Sequence, residues 1–351
     1  MFTKIDLKNF KCFSEFSIDN FRQITLISGA NNAGKTTLLE AIHLAYSSLI
    51  PNIFFDINIT RYNREIVYSP MFLWEHLFSK TNTNSSIIIS TNEKDSTNQV
   101  KIFKKALSNT FFNETHKISP IIRLDRLNNY SLVCEHTLEN ETKEGIYTAN
   151  ENCITLNTPY NNFANKIFSV YLPANSQFKI DILLNWFDYL QLNGKKANLI
   201  SILKKIDSNI CDIFVINQSE KPSIICYSDN IGSLPLKSLG GGLNRLFLYA
   251  LAIISNPNSI ILIDEIDNSY RYDFIKDFWT IIIELAVDYN CQIIATTHSY
   301  ECINGAFDAS KSFENKYLSF IRIDNNDQIP RAVSYTDDDL EFAVKRNFEI
   351  R

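Results

Sequence analysis

The chain has 351 residues, enough for one large or two ordinary hydrophobic cores, and a hydrophobic content of 45% with 25 Phe and 16 Tyr excludes a disordered polymer. A net charge of −5 excludes a uniformly basic surface, so contact with nucleic acid would need a local patch. Seven scattered cysteines with no Cys-x-x-Cys pair exclude a disulfide frame and a zinc site, and the longest apolar run, Leu246–Ile254, is too short for a bilayer; a cytoplasmic protein without a membrane partner is expected.

Residues 1–27 read as a strand pair. Phe2, Ile5 and Leu7 open it, and Phe10-Lys11-Cys12-Phe13 leads on to Phe16 and Ile18. Charges at Lys4, Asp6, Lys8, Lys11 and Glu15 leave no secretory apolar segment here. The apolar run Ile24, Leu26, Ile27 then enters Gly29-Ala30-Asn31-Asn32-Ala33-Gly34-Lys35-Thr36-Thr37. The spacing Gly-x4-Gly-Lys-[Ser/Thr] predicts a loop between strand and helix whose backbone N–H groups cradle a β-phosphate. Gly29 and Gly34 let the backbone turn tightly and approach the phosphates, and Asn31 and Asn32 tolerate left-handed conformations. Lys35 would reach the β- and γ-phosphate oxygens of ATP, and the Thr36 hydroxyl would bind Mg²⁺. The alternative is a chance match in a loop. Against it, Leu38, Leu39, Ile42, Ala45, Tyr46 and Leu49 follow at helical spacing.

From about 51 to 165 the pattern changes. Polar runs Lys80–Ser86, Asn92–Asn98 and Glu139–Gly145 separate β-rich pieces at Ile87–Ser90, Val100–Phe103, Ile118–Leu124 and Tyr130–Cys134. An antiparallel sheet with long loops is expected, with a short helix around Pro70–Phe78. Residues 178–213 look helical, through Ile180, Leu183, Leu184, Trp186, Phe187 and Leu190, then Leu199, Ile202, Leu203 and Ile206. Strands follow near Ile213–Ile216 and Ser223–Tyr227.

The C-terminal part is strongly patterned again. Ser238-Leu239-Gly240-Gly241-Gly242 opens a helix over Leu243–Ile254, and its glycines form a second anion-binding nest. With a single P-loop per chain, that nest would serve a nucleotide held by another copy; the alternative is a flexible linker. Ser259–Asp264 reads as a buried strand ending in Asp264 and Glu265, a Walker B arrangement. Asp264 would hold Mg²⁺ and Glu265 would polarise the attacking water. The alternative is an acidic pair that caps a helix. A helix over Asp273–Asn290 and a buried strand over Cys291–Thr296 follow, and then His298, which would touch the γ-phosphate at the carboxyl edge of the sheet. Asp324-Asn325-Asn326-Asp327 reads as a hairpin turn, and Thr336 before Asp337, Asp338 and Asp339 as a helix start. Alternating strands and helices imply a parallel sheet covered on both faces.

The order of these motifs resembles the ABC-type ATPase heads of the SMC and RecF class, and "FTKIDLKNFKCFSEFSI" followed by "ITLISGANNAGKTTLLEAI" is similar to their opening strands and P-loop. Within that class the chain is similar to bacterial OLD-like ATPases of AAA type, whose Gly-rich, "LIDE" and "ATTHS" motifs read here as Leu239–Leu246, Leu262–Glu265 and Ala295–Ser299. The likeness extends to the tail at Asp337–Arg351 and covers residues 1–50 and 230–351 well, the middle poorly. It implies an α/β P-loop NTPase of the ABC-ATPase type, with a mixed sheet, helices on both faces and an inserted α+β region. The head would comprise 1–50 and 230–351. Residues 51–230 would be an antiparallel β and helical insertion that completes the head and its partner surface.

The resemblance further implies slow ATP hydrolysis and ATP-driven pairing of heads, as a dimer or a higher homo-oligomer. Each nucleotide would sit between one P-loop and the partner's Ser238–Gly242, with Asp267-Asn268 at the contact. The motif here departs from Leu-Ser-Gly-Gly-Gln, no Q-loop glutamine is evident (Gln99 lies in a poorly matching region), and Tyr270-Arg271 follows the Walker B strand. The Toprim nuclease domain of OLD enzymes is not expected, since only about fifty residues follow His298. The implied role is a regulatory ATPase that controls a separate effector, a Toprim-type or other nuclease, in antiphage defence. The alternative is a RecF-like repair ATPase that binds DNA itself, through a patch built from Lys104-Lys105, Lys195-Lys196 and Lys204-Lys205. A transporter ATPase fits the N-terminal motif and the long insertion least.

Overall fold

The computed structural model describes residues 1–50, 53–54, 57, 74–93, 96–106, 115–118, 130–149, 154–157, 167–174, 180–218, 221–267, 274–326 and 329–346. Two large sheets pack around one helix. The first is antiparallel and eight-stranded. Its strands are β1 (Phe2–Phe10), β2 (Phe13–Ile18), β4 (Ile87–Glu93), β5 (Thr97–Ala106), β6 (Thr115–Ile118), β7 (Tyr130–Leu138), β8 (Glu141–Ala149) and β9 (Ile154–Asn157). They lie in the order β2-β1-β4-β5-β7-β8-β9-β6. β1 and β2 form the expected pair, and β1 also pairs with β4, in register Leu7↔Ile89.

The second sheet is mixed. It contains β3 (Ile24–Ser28), β10 (Ser169–Leu172), β14 (Ile260–Ile263), β15 (Gln292–Thr296), β16 (Leu318–Asn326) and β17 (Ile329–Tyr335). Their order is β10-β14-β15-β3-β16-β17. The first five strands of that order are parallel, and only β17 runs against its neighbour, through the hairpin expected near Asp324. β14 and β15 are buried along their whole length, which explains the apolar runs Ile260–Ile263 and Ile293–Ala295.

This central sheet divides the interior in two. Ile24, Leu26, Ile261, Ile263, Ile293 and Phe320 face one core, whereas Ile27, Ile260, Leu262, Ile294 and Ile321 face the other. Alternate side chains leave a strand on opposite faces, so each strand feeds both cores. The second core also takes α1 (Lys35–Ser47), which lies between the central sheet and the antiparallel sheet. At its far end a polar cluster seats this helix. The Ser48 hydroxyl lies 3.0 Å from His136 Nδ1, and His136 Nε2 lies 2.6 Å from Asn98 Oδ1. Asn98 Nδ2 in turn donates to the carbonyl of Ala45 (2.9 Å).

The first core is covered by α2 (Ile180–Leu192), α3 (Lys196–Lys204), α4 (Gly241–Ser255), α5 (Ile275–Asp288) and α6 (Tyr300–Ser310). A small sheet of β11 (Ile210–Gln218), β12 (Lys221–Ser228) and β13 (Gly232–Pro235) adjoins them, and α7 (Asp337–Arg346) ends the described chain. The helical stretch expected over 178–213 is two helices. Gly194, at φ 69°, turns the chain between them, and β11 begins at Ile210. Near 70–78 the described part holds only a 3₁₀ turn, Glu75–Leu77, while residues 70–73 lie outside the described residues. Thr336 caps α7: its hydroxyl accepts from Asp339 N, and its own N–H donates to the Asp339 carboxylate. The Thr336 hydroxyl also donates to the Asp339 carboxylate (2.6 Å), and this bond, followed by the one from the Thr336 N–H, holds the Asp339 carboxyl below its usual range, so this acidic run is a helix start. No helix among the described residues is long and apolar enough to cross a membrane.

Candidate nucleotide site

β3, β14 and β15 are parallel, so their carboxyl ends meet at one edge, where α/β sheets bind ligands. The loop from Gly29 to Gly34 leaves β3 there and enters α1. Gly29 and Gly34 have φ of 143° and 107°, and Asn32 has φ 65°. Both glycines are also closely packed. A Cβ on Gly29 would collide with the carbonyl oxygen of Ile323, and one on Gly34 would lie 2.7 Å from the Phe13 ring. The free N–H groups at the start of α1 supply the positive end of the helix dipole.

Lys35 lies folded over this loop. Its ammonium donates to the carbonyls of Gly29 (2.7 Å) and Ala30 (3.0 Å), and lies 3.4 Å from His298 Nδ1. Burial pulls its pKa from 10.5 down to about 8, although Asp264, Glu265 and Asp267 favour the charged form. Burial and then the Lys35 charge push the His298 pKa below its usual value, so the imidazole is neutral at pH 7. An ammonium only donates, so His298 Nδ1 accepts and its proton sits on Nε2.

The strand end carrying Asp264 and Glu265 is fixed by its neighbours. Asp264 N donates to Leu172 O (2.9 Å) and Ile266 N to Thr296 O (2.9 Å). The Thr36 hydroxyl donates to Asp264 Oδ2 (3.0 Å), so the helix start and the strand end already touch. Thr36 and Asp264 together offer hard oxygen donors, the set that Mg²⁺ prefers. The donor chemistry therefore fits that ion, with Lys35 and the loop amides left for phosphate oxygens.

Thr296 was not among the residues expected to carry function, yet it organises this edge. Its hydroxyl donates to Asp264 Oδ1 (2.6 Å) and accepts from the N–H of Glu265 (2.8 Å). It is fully buried at the end of an apolar strand, and that is the signal the sequence did offer. Glu265 itself sits at φ 51°, a left-handed position that is uncommon for a non-glycine residue and clusters at functional sites. Ser299 caps α6 by accepting from Cys302 N (3.1 Å), which fixes the turn carrying His298.

Lys35, Thr36, Asp264, Glu265 and His298 thus gather around the loop of Gly29 to Thr37. The Ser238–Gly242 segment is not joined to them by any hydrogen bond among the described residues. Ser238, Gly240 and Gly241 are exposed at the start of α4, and the segment is held by its own turn, through Asn244 Nδ2 to Leu239 O (2.8 Å). Asn268, Tyr270 and Arg271 lie outside the described residues. Gln99 sits within the antiparallel sheet, where its side chain donates to Ser90 Oγ (3.1 Å).

Three of the six lysines weighed for DNA form ion pairs among the described residues. Lys104 pairs with Glu75 (2.8 Å), Lys196 with Asp212 (2.7 Å) and Lys205 with Glu284 (2.6 Å). Lys195 lies over the rings of Tyr189 and Tyr289. The three ion-paired lysines add little to a field that would attract a phosphate backbone, whereas the ring contacts of Lys195 leave its charge intact.

Comparisons with known proteins bear on the fold and the family. The family described as "AAA domain, putative AbiEii toxin, Type IV TA system" matches residues 24–304. A Helicobacter pylori protein described as an ATP/GTP phosphatase is 25% identical over 373 residues, covering 97% of each chain. Among solved structures, an SMC head bound to the C-winged helix domain of ScpA shares the fold with a TM-score of 0.51 and 16% identity, covering 98% of this chain and 99% of that one. An SMC head domain from Thermotoga maritima gives 0.45 and 15%, covering 95% and 99%. The fold is that of an ABC-type P-loop ATPase, and the family match runs from the strand before the phosphate loop to the helix after His298. This chain is therefore an ATP-hydrolysing enzyme that belongs to that AAA-domain family.

Proposed function

We propose that the protein is a slow, Mg²⁺-dependent regulatory ATPase of the cytoplasm. Its copies pair through shared ATP sites, and the paired state controls a separate effector protein. One observation carries this reading. The chain assembles Lys35, Thr36, Asp264, Glu265 and His298 at one edge, whereas Ser238, Gly240 and Gly241 of the nest are exposed and no hydrogen bond among the described residues joins the nest to that edge, Leu239 alone packing inward on the core. A phosphate-binding nest with no phosphate site of its own suits a nucleotide held by a second copy. In this arrangement Lys35 and His298 hold the γ-phosphate, Glu265 orients the attacking water, and residues 51–230 complete the head and its partner surface.

The energetics allow it. Shifting an assembly from 1:99 to 99:1 takes roughly 5.5 kcal/mol of differential binding. Charge-assisted hydrogen bonds contribute about 1.5–3 kcal/mol each, so two shared γ-phosphates suffice. The resemblance to OLD-like ATPases supplies the setting: an effector of the Toprim or another nuclease class, in antiphage defence. The SMC head solved with a winged-helix domain of ScpA is a protein of this fold that carries a partner.

The test is sizing of a Glu265→Gln variant, which should bind but not hydrolyse ATP. Its mass should double with ATP and Mg²⁺, and it should capture the product of a neighbouring nuclease gene. An unchanged mass with bound ATP would defeat the pairing. Salt-dependent duplex binding with DNA-stimulated hydrolysis would instead favour the RecF-like reading.

A further inference from the structure

We propose that Lys11 and Glu40 form a positioning pair that clamps the turn between β1 and β2 onto the phosphate loop, and that ATP affinity depends on this clamp. The inference rests on the reading of Gly29–Thr37 as a triphosphate site. Lys11 Nζ lies 2.7 Å from Glu40 Oε2, and the side chains are only 10% and 0% exposed. Glu40 stands in α1, just over one turn beyond Lys35 and Thr36. Lys11 stands in the two-residue turn between β1 and β2, at φ 47°, with its N–H donating to Leu77 O (2.8 Å).

A buried ion pair is a poor way to gain stability. The cost of stripping water from both charges rivals their attraction, and a well-packed apolar pair serves as well or better. What charges supply is one defined geometry. Here that geometry matters because Lys11 is joined directly to Cys12 and through it to Phe13. Cys12 Sγ and the Phe13 ring would lie 3.1 Å and 2.7 Å from a Cβ on Gly34, the residue immediately before Lys35. The turn therefore rests on the last residue of the phosphate loop. Stacking of Phe13 on Phe16, with centroids 4.2 Å apart, stiffens it further. The pair stands beside the phosphate loop and is not part of it. It acts through Gly34 by fixing the loop amides in the shape a phosphate requires, and preorganisation of this kind appears as affinity.

The experiment compares the wild-type chain with Glu40→Gln, with Lys11→Met/Glu40→Leu and with Lys35→Ala. ATP affinity is read with a fluorescent ATP analogue, turnover by phosphate release, and the turn itself by iodoacetamide alkylation of Cys12. That thiol is exposed, whereas Cys134, Cys226, Cys291 and Cys302 are buried; Cys211 is half-buried and Cys153 lies outside the described residues, so the label is counted on the Cys12 peptide by mass spectrometry. ATP should protect Cys12 in the wild type. Glu40→Gln should weaken ATP binding about tenfold, the usual scale for groups that orient a binding site. It should raise KM with little change in kcat, and ATP should no longer protect Cys12. The apolar double variant guards against a folding failure. It should match the wild type in Tm and still bind ATP about tenfold more weakly. The proposal is overturned if the apolar double binds ATP and protects Cys12 as the wild type does. It is equally overturned if Glu40→Gln lowers Tm alone. Failure of the phosphate-loop reading looks different, because Lys35→Ala would then bind ATP as well as the wild type.

Discussion

Lys35 carries the clearest pH signature. Its folded pKa of about 8 lies below the unfolded 10.5, so between those values the unfolded chain holds the extra proton. Stability of the nucleotide-free protein from this group therefore rises with pH across that window, and below about 8 its charging works against folding in full. A triphosphate reverses the balance, because its charge favours the ammonium. ATP binding at a pH of about 8.5 should take up a proton, and affinity should fall as pH climbs from about 8 to about 10. Titration calorimetry in two buffers of different ionisation enthalpy measures this; an equal heat in both would count against it. Gly34 is equally exposed to test. At φ 107°, and with Phe13 against it, alanine is both strained and crowded. Gly34→Ala should cost about 1–3 kcal/mol in urea denaturation and remove ATP binding. Both glycines were legible from motif spacing. Thr296 was not, because its partners belong to another strand, and one buried threonine carries no period.

Among the elements, β15 shows how the two large sheets are tied. Gln292 is buried at its start. Its side-chain oxygen accepts from Phe2 N (3.1 Å), and its amide donates to Phe2 O (2.8 Å) and Arg22 O (3.1 Å). One amide thus satisfies both backbone groups of Phe2 at the first position of β1. Gln292→Leu keeps the volume but orphans these groups, and should cost about 1–3 kcal/mol. Hydrogen exchange should quicken at β1 before the rest of the antiparallel sheet; uniform protection in the variant would refute the tie. The apolar runs Ile260–Ile263 and Ile293–Ala295 announced buried parallel strands directly. The opening pair was legible too, from alternation. That β1 also pairs with β4, across α1 and a long intervening stretch, was not, since alternation specifies a face and never a partner.

For the molecule as a whole, the proposed pairing turns on the Ser238–Gly242 segment. Gly240 is exposed, and a Cβ there would meet nothing within 4 Å. Gly240→Glu should therefore leave the fold and ATP binding intact while placing a negative charge where a second copy's phosphates would come. Pairing with ATP and turnover should both be lost; an ATP-loaded Gly240→Glu chain that still doubles in mass would exclude the shared site. The sequence by itself determined the P-loop, the acidic strand end, the histidine turn and the sheet class, because each is written in residues close together in the chain. Only the tertiary structure decided which strands are neighbours, that Thr296 bridges Asp264 and Glu265, and that Lys11 reaches Glu40 beside Gly34. Those depend on contacts between distant segments, and a one-dimensional pattern records how a residue is buried but not against what.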